Sequence, residues 1–470
     1  MFNHTHCICG DRTARSNCSQ DCSQAICSTD SGSHAHPGIG ASASGRKEVP
    51  NYLKQLVADW HKGEPRGIYS VCSAHPWVLE AAMEQAIADD APLLIEATSN
   101  QVNHLGGYTG MTPADFRQRV EEIARATGFN TKRLILGGDH LGPNPWRHQP
   151  AAEAMLEAKR MVVAYAQAGF TKIHLDASMA CANEQGPLSD ETIAIRAATL
   201  CAAAELAASA SQTVYVIGTE VPVPGGATES LPHLEPTSRE AAAKTLEVHR
   251  RIFAERGLSA VWPRVIALVV QPGLEFNHLS VVDYDPTPAA HLTQLLKEEN
   301  ELIYEAHSTD YQRPDSYSSL VHDGFVILKV GPALTFAMRE ALDALERIEA
   351  ELVPAAKSSR LAEVMEQVML DDPQHWERYY TGGERTTRLL RRYSYSDRVR
   401  YYWTNLRAKA AVGALMKNLQ ETSIPETMLS DYLPEAYQAV RAGELQLDSL
   451  AIVKHRIRSV LQAYASACVP

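Results

Sequence analysis

From about residue 49 onward, short β-branched apolar runs alternate with amphipathic or alanine-rich stretches of helical period. The runs lie at 67–72, 92–96, 133–137, 172–175, 214–218, 265–270, 302–304 and 326–329, eight in all. Runs without polar alternation suit strands covered on both faces, and RVIALVV at 264–270 is such a run. Helical stretches fit between them at 76–88, 113–127, 151–168, 190–208, 238–256, 288–299 and 316–322, and 333–352 follows the last run. Eight strand–helix units in series predict an α/β fold of the (β/α)8 kind, a closed TIM barrel over 49–352. No G-x-G-x-x-G follows the first strand, which removes a dinucleotide-binding sheet.

Past residue 353 the alternation stops, and 361–369, 394–416 and 445–464 read as helices. Residues 353–470 are therefore expected as a helical extension packed on the barrel. Its segment RLLRRYSYSDRVRYYW has two readings, a surface for phosphate or a partner, and an ordinary helical cap with snorkelling arginines. Residues 1–48 are rich in Ser, Gly, Cys and His, and hold five of the nine cysteines. Such a composition buries too little apolar surface to offset the entropy of ordering, so a disordered extension is expected. A soft-metal reading of His4, His6, Cys7 and Cys9 lacks any paired C-x-x-C spacing.

Charge narrows the function. Lys and Arg number 44 against 56 Asp and Glu, for a net charge of −12, the wrong sign for coating nucleic acid. No apolar run approaches the roughly 18 residues of a membrane span, and no signal peptide is evident. A cytoplasmic setting is expected, with neither nucleic acid nor membrane as partner.

In a TIM barrel, chemistry gathers at the carboxyl ends of the strands. The residues there include Ser73, Asn100, Asp139, His140, Asp176, Glu220, Gln271, Glu305, His307 and Lys329. In GGDHLGP at 137–143 two glycines would let a ligand approach the backbone, and His140 would offer a ring nitrogen. His140, His307 and the carboxylate of Glu220 suit a divalent metal that polarises a carbonyl; taken singly, each histidine suits a hydrogen-bonded core position. Asp139, Glu220 and Asp176 are the acid–base candidates. Gly225 and Gly226, with Lys329 and Gly331, suit a phosphate, and Ser73 and Asn100 stand beside them as substrate contacts.

Nine stretches carry a resemblance: SVCSAHPWV, LIEATSNQVN, GGYTGMTPADFR, LGGDHLGPNPW, IHLDASMAC, VIGTEVPVPGG, VVQPGLEFNH, YEAHSTDYQ and LKVGPALTF. From about residue 50 to the end the chain resembles the non-catalytic, Z-type subunit of class II tagatose-1,6-bisphosphate aldolase. The resemblance implies a TIM barrel that supports a separate catalytic subunit in cytoplasmic galactitol or N-acetylgalactosamine breakdown. That partner cleaves tagatose 1,6-bisphosphate to dihydroxyacetone phosphate and glyceraldehyde 3-phosphate, and needs the Z-type chain for full activity and stability. Asp139-His140 is similar to the Asp-His pair of the catalytic enzymes, and His307 to their strand-seven zinc histidine. Gln271 stands where they have another zinc histidine, and an amide oxygen is a poorer zinc ligand. His278 would replace it only if its loop folded back.

Three functions follow as expectations. The first is an accessory subunit needing no metal. The second is an enzyme acting alone, a Zn-, Mn- or Co-dependent ketohexose 6-phosphate C4-epimerase or a residual aldolase, and the third a sugar-phosphate sensor.

Overall fold

The computed structural model describes residues 52–208, 212–219, 226–227 and 234–469. The 1–48 extension and the candidates Glu220 and Gly225 lie outside the described residues. Eight parallel strands close a barrel: β1 Ile68–Val71, β2 Leu93–Thr98, β3 Leu134–Leu141, β4 Lys172–Leu175, β5 Val214–Gly218, β6 Val265–Val269, β7 Ile303–Ala306 and β8 Phe325–Val330. They pair in sequence order, and β1 meets β8 with Ser70 opposite Lys329.

A short helix α1 (Tyr52–His61) precedes the barrel. The surrounding helices are α2 (Pro76–Ala88), α3 (Pro113–Thr127), α4 (Ala151–Gln167), α5 (Asp190–Ala207), α6 (Arg239–Glu255), α7 (Pro286–Glu299), α8 (Pro314–His322) and α9 (Pro332–Leu352). Their ends follow local chemistry. In α3, Thr112 and Asp115 form a reciprocal capping box, Pro113 opens the first turn, and Gly128 closes it at φ 78°. Among the described residues no helix is long and apolar enough to cross a membrane.

Two of the departures from the sequence reading lie near the barrel mouth. A two-stranded hairpin, Glu275–Phe276 with Val281–Val282, follows β6. The expected helix 394–416 is broken. Helix α10 (Leu361–Asp371) and α11 (Glu384–Tyr393) come first, and the chain leaves helical geometry at Ser394. Asp397 is left-handed at φ 42°, a single 3-10 turn covers Arg398–Tyr402, and α12 begins only at Leu406 and runs to Glu421. Side chains compete with the helix here: Ser394 and Ser396 bond His278, and buried Asp397 bonds Thr335 and Arg339.

The extension ends in α13 (Glu426–Tyr432), α14 (Pro434–Arg441) and α15 (Ser449–Cys468). Helix α15 lies against α2, α8, α9 and β1. Its Tyr464 hydroxyl donates to the Thr309 carbonyl at 2.9 Å, and Gly67 N–H donates to the Cys468 carbonyl at 3.0 Å. The end of the chain is therefore part of the barrel's outer layer.

Close backbone packing above the barrel centre yields a prediction. A Cβ on Gly142 would lie 1.5 Å from the Asp176 carbonyl oxygen, whereas one on Gly413, in an exposed helix interior, meets nothing. Gly142→Ala should destabilise by roughly 3 kcal/mol or more. Gly413→Ala should stabilise by about 0.5–1 kcal/mol. Urea unfolding midpoints of the two variants should thus move in opposite directions.

Candidate functional site

Period-two alternation decides which strand residues face the barrel centre. On β4 the inward pair is Lys172 and His174, on β7 and just past it Glu305 and His307, on β2 Glu96, on β1 Ser70 and on β8 Lys329. All are buried. The row Glu96–Gly137–Lys172 runs across three neighbouring strands. Gly137 lacks a side chain there, and a Cβ would come within 2.7 Å of Glu96 Cγ. The space this glycine leaves is filled by Glu96, not by a ligand, and lets the carboxylate reach Lys172.

The centre is an ion-pair lattice. Lys172 Nζ lies 2.8 Å from Glu96 Oε1 and 2.6 Å from Glu305 Oε2. Lys329 Nζ lies 2.9 Å from Glu96 Oε2, 2.9 Å from Asp139 Oδ1 and 3.7 Å from Glu305 Oε1. Ser70 Oγ donates to Glu96 Oε1 at 2.8 Å. Burial opposes the charges of Asp139, Glu305 and Lys329, but their neighbours outweigh it. Asp139 is held well below the usual carboxylate range by His140 and Lys329, and Glu305 by Lys172 and Lys329. Lys329 is held well above its ordinary value by Asp139, which keeps its amine protonated and unfit as a nucleophile.

Three histidines stand above this layer, their rings 4.8–5.2 Å apart. Pairing of β3 with β4 shifts between Gly138 and Leu141, and His140 is left-handed at φ 50°. This irregularity turns Asp139 and His140, successive residues, toward the same interior. His140 Nδ1 bonds Asp176 Oδ2 at 2.8 Å, and Ser178 Oγ donates to Asp176 Oδ1 at 2.8 Å, so Asp176 orients His140. Burial alone would lower the His140 pKa; Asp139 and the bond to Asp176 raise it above its usual value. His307 goes the other way: burial carries it to about 3, against the 2.9 Å bond to Glu305, so its ring is neutral.

Asp139, His174, Glu305 and His307 each bring a donor atom, all within 4.8 Å of one another. His174 Nε2 is buried without a hydrogen-bond partner. Two imidazoles, two carboxylates and one orphaned ring nitrogen fit a divalent ion of the Zn, Mn or Co class. Of the metal candidates named from sequence, only His307 among the described residues belongs to this group. His140 is beside it, with Nδ1 given to Asp176. Gln271 is turned away: its Oε1 accepts the N–H groups of Gly273 and Leu274 at 2.8 and 3.1 Å. His278 is tied to the extension, Nε2 to the Tyr379 carbonyl at 3.0 Å and Nδ1 to Ser394 and Ser396.

The phosphate candidates are also engaged. Gly331 and Ala333, at the start of α9, donate their N–H groups to Asp310 Oδ1 at 2.9 and 2.8 Å. Gly226 packs on Phe276 at the mouth, and Asn100 lines the same cavity. Ser73 instead lines a neighbouring chamber of about 740 Å³ under α12, and its Oγ accepts His75 N–H. The mouth cavity over His140, His307 and Lys329 has only about 70 Å³, and the Arg/Tyr segment supplies Arg400 and Tyr401 to its wall.

The residues missed from sequence are Lys172 and His174. Their signal was a lysine and a histidine at alternate positions in KIHL, a run expected to be buried on both faces.

A model of the family described as D-tagatose-1,6-bisphosphate aldolase subunit GatZ/KbaZ-like matches residues 53–469. Among solved structures, the chain is similar to a probable tagatose 6 phosphate kinase from Sinorhizobium meliloti 1021. Identity is 51%, over 86% of this chain and 100% of that one, with a TM-score of 0.80. The fructuronate-tagaturonate epimerase UxaE from Cohnella laeviribosi is 10% identical, over 86% and 81% of the two chains, with a TM-score of 0.46. Fructose-bisphosphate aldolase from Campylobacter jejuni is 14% identical, over 82% and 94%, with a TM-score of 0.43.

Two stability predictions follow from the buried charges. Lys172→Met leaves Glu96 and Glu305 sharing Lys329 as their one remaining ammonium and should cost roughly 3–5 kcal/mol in urea unfolding. Asp310 is pushed up to about 6, chiefly by burial and against the Gly331 and Ala333 amides. A raised carboxyl contributes stability that is full below its unfolded value and lost as pH rises through the folded one. Wild type should therefore lose on the order of 2–3 kcal/mol relative to Asp310→Asn between about pH 4 and about pH 7. Asparagine retains the accepting oxygen, so equal pH profiles for the two proteins would contradict this assignment.

Proposed function

Because the chain belongs to the GatZ/KbaZ-like family of D-tagatose-1,6-bisphosphate aldolase subunits, we propose that it is the accessory subunit of that aldolase. It raises the activity and stability of a class II catalytic subunit in tagatose phosphate breakdown, and it does not cleave the bisphosphate itself. The observation that carries this reading is that most polar groups of the mouth are satisfied by its own side chains. Lys329 occupies the carboxylates, Asp310 takes the α9 amides, and Gln271, at the end of β6, is turned into its own loop. The cavity directly over these groups is about 70 Å³, and it shares Cys72, Gln101, Tyr108, Gly331 and Arg400 with the chamber of about 740 Å³ beside it.

A second reading rests on a different observation. The donor group with its orphaned His174 Nε2 supports a metal-dependent ketohexose 6-phosphate C4-epimerase. A bound ion would polarise the substrate carbonyl and stabilise the charge developing on its oxygen. Asp139 would then be taken up as an ion ligand, which leaves Asp176, bonded to His140, as the described acid–base candidate. Tagatose phosphates, named for both the family and the 51% identical relative, support that substrate class for either reading.

The test is turnover with and without a partner. Mixed with a class II tagatose-bisphosphate aldolase catalytic subunit, the chain should raise its bisphosphate cleavage and its half-life at 37 °C by roughly tenfold, about 1.4 kcal/mol. Alone, with Zn²⁺, Mn²⁺ or Co²⁺, it should convert neither tagatose 1,6-bisphosphate nor fructose 6-phosphate. Product from fructose 6-phosphate that disappears in His140→Ala would replace the accessory reading with the epimerase.

A further inference from the structure

Lys329 reaches the mouth from β8 and competes for the atoms a metal ion would use. Its Nζ lies 2.9 Å from Asp139 Oδ1 and 3.7 Å from Glu305 Oε1, two of the four residues in the donor group. Lys172 approaches the same lattice from below and takes the opposite oxygens, Glu96 Oε1 and Glu305 Oε2. Lys172 can therefore keep its partners while an ion occupies Glu305 Oε1; Lys329 cannot. Oxygens facing an ammonium at this distance are screened from a second cation by repulsion of like charges in a poorly hydrated centre.

The local charge leaves room for more positive charge. Glu96, Asp139, Asp176 and Glu305 face only two ammoniums, a negative excess before any histidine is charged. His174 Nε2 is buried beside them with no partner. Lys329 also has somewhere to go, because it lines the mouth cavity with Asp139, His140 and His307.

We propose that the Lys329 ammonium is a resident cation holding the place of a divalent ion, and that the ion binds at Asp139, His174, Glu305 and His307 as Lys329 releases Asp139 and Glu305. Metal affinity in this chain is thus set by displacement of an internal lysine. The inference does not depend on whether the chain turns over a sugar phosphate, since a displaced lysine is compatible with either function.

The experiment is direct Mn²⁺ titration of the full metal-free chain, with free Mn²⁺ read by electron paramagnetic resonance. Lys329→Met should bind one Mn²⁺ roughly tenfold or more tighter than wild type, because one competing charge is gone. The gain should vanish in Lys329→Met combined with His174→Ala and survive in Lys329→Met combined with His140→Ala. Equal affinity of wild type and Lys329→Met would overturn the proposal, as would a gain that needs His140 and not His174. If Lys329→Met does not fold without the ion, Lys329→Gln, neutral but still hydrogen-bonding, should show the same direction of change. The readout is binding alone, so failure to stimulate an aldolase partner would leave it unaffected.

Discussion

Lys172 has no exposed surface, and neither do Glu96 and Glu305, the two carboxylates it bridges. Taking such charges out of water costs several kcal/mol per ion, and only close pairing with further hydrogen bonds offsets it. Much of the barrel is arranged to supply that pairing. Gly137 is bare so that Glu96 can cross to the next strand, Ser70 adds a donor from β1, and Lys329 closes the circuit from β8. Strand register matters for the same reason: a slip of one residue on β4 would send Lys172 and His174 outward and bring Ile173 and Leu175 into the lattice.

The same economy of polar groups extends upward to the mouth. The irregularity in β3 places Asp139 and His140 side by side, and Asp176 then fixes the His140 ring. Asp310 satisfies the first amides of α9, where a bound anion would otherwise go. The C-terminal extension completes the enclosure. Its residues 394–403 anchor on His278, Tyr380, Thr335 and Arg339, and bring Arg400 and Tyr401 to the cavity wall. Meanwhile α15 joins the outer helical layer against β1. Barrel and extension are thus interdependent, since one piece of the extension shapes the mouth and another supports the first strand.

Legibility in the sequence followed burial. Strands covered on both faces declare themselves as apolar runs, so all eight, and the closed barrel, could be read before any coordinates. Strand-tip chemistry was partly visible, because Asp139, His140 and His307 fall where such a barrel keeps reactive groups. Lys172 and His174 escaped because they lie inside KIHL, which reads as an ordinary strand unless inward positions are counted separately. The partners of Gln271 and His278 were also hidden. Loop folding decides them, and His278 contacts residues about a hundred positions away. The 394–416 segment read as one helix because periodicity does not register that Ser394, Ser396 and Asp397 bond more strongly outside the helix than within it.

A charged barrel centre is easily taken as evidence of turnover, but the energetics allow another origin. In a lattice of shared partners, removal of one member leaves the others buried and uncompensated, which is far more costly than keeping all of them. Replacing Lys172 alone takes one of two ammoniums from each of two carboxylates, and replacing Glu96 alone leaves two ammoniums each short of a carboxylate. Only several simultaneous apolar substitutions would give a neutral core of equal stability. Interior charges can therefore persist in a barrel whose task is structural, held by mutual dependence and not by chemistry performed on a substrate. What separates the two origins is the groups the lattice does not use. His174 Nε2 is buried and unpartnered, and the stability of the lattice alone gives no reason for it. That nitrogen is where the two accounts differ: a structural centre leaves it idle, and a bound ion would use it.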